Sequence, residues 1–114
     1  IPIEENIRSI TYTQDKVGIV TDNVEGGDPY RLRIYDREGS PVFEKTFNYQ
    51  YTGFDIDGDL VLLYNDSSCK VYNMTGTEKY NGTFDFTVSK VSAGRFPGTL
   101  LVMGPQKMTE IKLQ

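Results

Sequence analysis

Short apolar runs broken by turn-forming clusters extend along the whole chain. Val, Ile, Thr, Tyr and Phe dominate the runs, and helix formers nowhere gather at a 3.6-residue period. The pattern predicts strands, with under roughly a tenth of residues in helix. The breaks are Asp22 to Pro29, Arg37 to Pro41, Asp57-Gly58-Asp59, Asn65 to Ser68, Thr75-Gly76-Thr77 and Phe96-Pro97-Gly98. Each is rich in residues that make tight turns. Between them fall eleven predicted strands in three groups. The first group is Arg8 to Thr13, Val17 to Thr21, Tyr30 to Tyr35 and Val42 to Asn48. The second is Thr52 to Ile56, Leu60 to Asn65, Ser68 to Asn73 and Lys79 to Asp85. The third is Thr87 to Ser92, Thr99 to Met103 and Met108 to Leu113.

The groups repeat one another. A shift of 37 residues lays Leu32-Arg33-Ile34-Tyr35-Asp36 on Cys69-Lys70-Val71-Tyr72-Asn73, and the same shift matches Gly39 to Gly76, Phe43 to Tyr80 and Phe47 to Phe84. Thr109-Glu110-Ile111-Lys112-Leu113 is a weaker third copy. The second strand of each group is almost wholly apolar: Val17-Gly18-Ile19-Val20, Leu60-Val61-Leu62-Leu63 and Leu100-Leu101-Val102-Met103. A strand covered on both faces gives such a run, whereas a half-wet sheet gives alternation. The outer strands alternate and carry charge, as at Arg31, Arg33, Glu44 and Lys45. This gradient predicts an all-β, β-propeller-like array of three four-stranded antiparallel meanders, with blades at 8–48, 52–85 and 87–113. The last blade lacks its own fourth strand. Residues 1–6 are the candidate closing strand, and Pro2 suits an outermost position because it cannot donate to a ladder.

The motif Ile34-Tyr35-Asp36…Gly39…Phe43, repeated as Val71-Tyr72-Asn73…Gly76…Tyr80, resembles a blade-repeat domain of uncharacterised bacterial membrane-anchored envelope proteins. It is similar to quinoprotein-like and WD40-like repeats in its strand–turn–glycine rhythm. The resemblance implies a scaffold or ligand-binding module on the outer face of the cell membrane. It carries over no cofactor, because the tryptophan docking of quinone enzymes and the Gly-His and Trp-Asp signatures need residues this chain lacks.

Composition narrows the chemistry further. The absence of histidine excludes Ser-His-Asp and Cys-His catalysis and imidazole metal sites within these 114 residues. Cys69 is the lone cysteine, so there is no internal disulfide, and its apolar-alternating surroundings predict a buried, inert thiol. A net charge of −4, with Lys and Arg scattered singly, argues against nucleic acid. The chain opens Ile1-Pro2-Ile3 without methionine, as a shortened or processed chain would, and no apolar run approaches the ~18 residues of a membrane span.

Four sets of residues are weighed as candidate sites. Asp55, Asp57 and Asp59 flank Gly58 and are weak candidates for calcium, although the EF-hand spacing is absent and Asp-Gly is a favoured hairpin pair. The expectation is no metal. Tyr49 and Tyr51, at the junction of the first two copies, can stack on a sugar or fill a partner's pocket, or simply pack between blades. Asn65, Asn73 and Asn81 head Asn-x-Ser/Thr triplets that a turn-rich chain produces anyway, and Gly26-Gly27-Asp28-Pro29 reads as a long loop with no following helix to cradle phosphate. The resulting expectation is a non-catalytic binding or scaffolding module for a protein or glycan partner. The alternative is a hydrolase or lyase using paired carboxylates. Three blades are too few to close a ring, so a homodimer forming a six-bladed ring, or the remaining blades of a longer chain, is the expected partner.

Overall fold

The computed structural model describes residues 5–113, which fold into eleven strands in three antiparallel sheets. Sheet 1 holds β1 (Ile7–Tyr12), β2 (Lys16–Asp22), β3 (Tyr30–Asp36) and β4 (Pro41–Phe47) in that order. Sheet 2 holds β5 (Gly53–Asp57), β6 (Leu60–Tyr64), β7 (Ser68–Asn73) and β8 (Glu78–Thr83), again in chain order. Sheet 3 is three-stranded: β9 (Lys90–Ala93), β10 (Thr99–Met103) and β11 (Met108–Lys112). Each sheet is a meander, and the three pack face to face as the blades of a propeller do. No described helix is long and apolar enough to cross a membrane.

The apolar second strands explain the stacking. Leu62 and Leu63 are neighbours on β6, so their side chains point to opposite faces, yet both are 0% exposed. Leu63 joins a core with Val20, Leu32, Ile34, Ile56 and Tyr72 between sheets 1 and 2. Leu62 joins a second core with Cys69, Val71, Val91, Leu100 and Val102 between sheets 2 and 3. Sheet 2 is therefore covered on both sides. The innermost strands β1, β5 and β9 stand side by side in that order.

The 37-residue repeat is a repeat of geometry. Ile34 pairs with Gly18 on one side and Phe43 on the other, and Val71 pairs with Leu62 and Tyr80 in the same way. Both strands carry an irregularity at the next residue, between Ile34 and Tyr35 and between Val71 and Tyr72. The turn that follows is also the same twice. Asp36 Oδ1 accepts hydrogen bonds from the amides of Glu38 and Ser40, and Asn73 Oδ1 from those of Thr75 and Thr77. Gly39 and Gly76 then take φ of +85° and +80°, which a side chain would disfavour.

Two predicted boundaries shift by more than one residue. Thr87 to Ser89 lie outside β9, because the amide of Val88 is bonded to Asp66 O and that of Ser89 to Met103 O, at 2.9 and 2.7 Å. β8 stops at Thr83, although the amide of Phe84 still donates to Ser67 O. Of the predicted closing strand at 1–6, residues 1–4 lie outside the described residues. Asn6 accepts a bond from the amide of Asp22, and Glu5 lies against Arg33, both in sheet 1 of the same chain.

Candidate functional site

β11 is the outermost described strand of sheet 3. In sheets 1 and 2 the third strand is covered along its outer side by β4 and β8; β11 pairs only with β10 among the described residues. Ile111 sits opposite Leu100, and among the described residues it has no partner on its other side, where the third strands of sheets 1 and 2 meet β4 and β8. A row of backbone donors and acceptors therefore faces outward.

Beside that edge runs a groove of about 560 Å³. Thr109 and Ile111 form one wall; Tyr80, Phe84 and Phe86 form the other. The three rings are contiguous, with Tyr80 and Phe84 stacked at 6.3 Å between centroids and Phe84 and Phe86 at 5.5 Å. Burial pushes the Tyr80 phenol above its ordinary range. Lys107 closes the end of the groove, its Nζ 5.1 Å from the Phe86 centroid and 3.5 Å from Asp85 Oδ1. The site combines a strand edge that is unpaired among the described residues with an open aromatic trough.

The residues singled out from sequence sit elsewhere. Tyr49 shares a 2.7 Å hydrogen bond with Ser68 Oγ, and Tyr51 one of 2.7 Å with Ser9 Oγ. Both rings are half-buried against the first core, where desolvation raises both phenol pKa values. Asp55 accepts from Thr11 Oγ1 at 3.2 Å, and Asp57 from the amide of Ala93 at 2.9 Å. The two carboxylates thus tie sheet 2 to sheet 1 and to sheet 3. Asp59 follows Gly58, whose φ is +61°, in the hairpin turn. Among the described residues no three His, Cys, Asp or Glu side chains gather where a metal ion could be held. Asn65 and Asn73 use their side-chain oxygens to cap turns, and Asn23 Nδ2 braces the Gly26–Pro29 loop through Gly26 O and Asp28 O. The Cys69 thiol is fully buried, and burial raises its pKa to about 12.

A family model described as "Family of unknown function (DUF5711)" matches residues 1–113. The chain belongs to this family. No curated protein matches it in sequence. Six solved chains match in structure, among them the crystal structure of HIRA(644-1017), at a TM-score of 0.64 and 12% identity. That match covers 96% of this chain and 35% of the other, so the chain spans about a third of that neighbour's length. At such identity the likeness shows the fold alone.

Among the described carboxylates with arginine partners, three outside the groove are lowered by them. Arg33 hydrogen-bonded to Glu5, Arg8 to Asp22 and Arg95 to Glu110 each keep the carboxyl pKa below its ordinary value. A carboxylate depressed on folding stabilises the fold above its ordinary pKa, here 3.8 to 4.5, and that contribution is lost as pH falls through the lowered value. The melting temperature should therefore hold between pH 7 and 5 and fall on acidification to pH 3. Glu110→Gln should lower it at pH 7 and shrink the acid-induced drop, both read by thermal denaturation at each pH.

Proposed function

We propose that this chain is a non-catalytic binding and scaffolding module that captures an extended polypeptide strand along the open edge of β11. The observation that carries the reading is the pairing of that edge with the Tyr80–Phe84–Phe86 trough. Strand addition to a sheet edge takes affinity from main-chain hydrogen bonds and specificity from pockets for alternate side chains. The trough specifies the occupant. Ile111 lines it, and a residue opposite Ile111 on an added strand shares its face of the sheet and so meets the Tyr80, Phe84 and Phe86 rings. The partner strand should thus present an aromatic side chain opposite Ile111. A protein suits the row of edge amides and carbonyls better than a glycan does. The sequence resemblance alone supports a place outside the cell membrane. The carboxylate-hydrolase alternative has no observation in its favour, since Asp55 and Asp57 are bonded to different neighbouring sheets.

A labelled peptide of the chain's own β4, Pro41-Val42-Phe43-Glu44-Lys45-Thr46-Phe47, is a ready probe. Fluorescence anisotropy should show saturable binding, weakened at least about tenfold when the peptide carries Phe43→Ala, a loss of about 1.4 kcal/mol. Phe86→Ala in the protein should weaken it as well. Equal binding of a scrambled peptide, or none at millimolar concentration, overturns the proposal.

A further inference from the structure

The third strands of all three sheets carry a cation on or just before the strand, always on the corresponding face. In sheet 2, Tyr72 belongs to the core shared with sheet 1, and Lys70, two residues earlier, lies on the same face. In sheet 1, Leu32 and Ile34 pack toward sheet 2, so Arg31 and Arg33 take the opposite face. That is the face sheet 2 turns to sheet 1. In sheet 3, Ile111 packs toward sheet 2, and Thr109 and Lys107 line the groove on the same side.

In the two four-stranded sheets a glutamate of the fourth strand answers that cation. Arg31 Nη1 and Arg33 Nε lie 2.7 and 3.0 Å from the Glu44 carboxylate, and Lys70 Nζ lies 3.4 Å from that of Glu78. The register is the same in both. Arg31 stands opposite Thr46 and Arg33 opposite Glu44; Lys70 stands opposite Asn81 and Tyr72 opposite Glu78. Each glutamate therefore faces the residue two places further along the third strand and reaches the earlier cation on the diagonal. Two places beyond Lys107 is Thr109. Among the described residues Lys107 has one ion-pair partner, Asp85 at 3.5 Å, and the two side chains are 56% and 87% exposed. A pair so open to solvent holds its ammonium weakly.

We infer that Lys107 reads the sequence of the strand captured on β11, selecting a carboxylate opposite Thr109, two residues after the aromatic opposite Ile111. The inference rests on the strand-capture reading and adds the class of partner: an aromatic, any residue, then Asp or Glu. The order follows from an antiparallel strand, the direction in which β4 meets β3 and β8 meets β7. The Lys107 Nζ already lies 5.1 Å from the centroid of the Phe86 ring, which keeps the ammonium at the end of the trough. A strand seated beside it shields the ammonium from water on one side. Lower local dielectric then strengthens a new ion pair beyond the exposed one with Asp85. Lysine or arginine at the same position of the partner would set like charges together and be rejected.

The β4 peptide supplies the test, because its Lys45 falls opposite Thr109 when Phe43 lies opposite Ile111. A second labelled peptide carrying Lys45→Glu should bind the intact chain about three- to tenfold more tightly than the parent, as expected when a like-charged cross-strand contact becomes an opposite-charged one. Lys107→Ala in the protein should abolish the difference. Lys107→Glu should reverse it, making the parent peptide the tighter ligand. About 1 M salt, where charges are screened within about 3 Å, should shrink the difference on the unaltered protein. Lys107 is more than half exposed, so both variants should keep the far-ultraviolet dichroism of the unaltered chain. Equal binding of the two peptides overturns the inference and leaves strand capture standing. A preference for the Lys45→Glu peptide that survives Lys107→Ala also overturns it, by placing the selectivity elsewhere. Failure of both peptides to bind overturns strand capture and this inference together.

Discussion

Leu62→Ala and Leu63→Ala should each destabilise the chain by about 2–5 kcal/mol, although the two side chains touch different cores. Both are wholly buried, and the sheets on either side of β6 cannot close the cavity without losing their own strand pairing. Leu101→Ala is the control. It occupies the register position of Leu62 on the next sheet, but its side chain looks outward and is only partly covered. Its cost should stay near 1 kcal/mol or below, since only partly buried methyls are removed. Urea unfolding of the three variants, compared at equal slope, checks the ordering. Equal costs for Leu62 and Leu101 would mean that the outer face of sheet 3 is as covered as the inner face of sheet 2.

Gly18→Leu should be the most damaging single change on sheet 1. A Cβ at Gly18 would lie 2.8 Å from Phe54 Cζ, 3.0 Å from Ile56 Cδ1 and 3.2 Å from Ile34 Cδ1. Alanine already forces those three side chains off their positions, at a cost of about 1–3 kcal/mol for an overpacked core. Leucine cannot enter at all without parting sheets 1 and 2. The same register position holds Leu62 on sheet 2, so the glycine reflects a closer approach of the first pair of sheets rather than a need of the strand. Thermal denaturation should rank wild type above Gly18→Ala and Gly18→Ala above Gly18→Leu. A melting temperature for Gly18→Leu within a degree or two of wild type would refute the close packing.

The fold was legible where one sequence feature has one physical cause. Four consecutive apolar residues at Leu60–Leu63 can be satisfied only by cover on both faces, and that cover is found. The Asp36…Gly39 and Asn73…Gly76 spacing encodes a local turn, which needs no knowledge of the rest of the chain. Legibility failed where the cause is tertiary. Thr87-Val88-Ser89 has the composition of a strand, but its amides are claimed by Asp66 and Met103. Asp55 and Asp57 look like a cation loop in sequence, and only the stacked neighbours reveal them as acceptors for Thr11 and Ala93. The groove was missed because its walls come from two elements: the aromatics from β8 and the segment after it, the edge from β11. Phe84-Asp85-Phe86, two aromatics just past a strand end, was its one linear signal.

The two cores share no residue and meet only through the backbone of sheet 2. Each blade therefore needs only its immediate neighbours, and no side chain of the first core is committed to the third sheet. A molecule organised this way can lengthen by copying one stretch of its gene. The new blade inherits two apolar faces of the kind by which sheet 2 already packs against both of its neighbours.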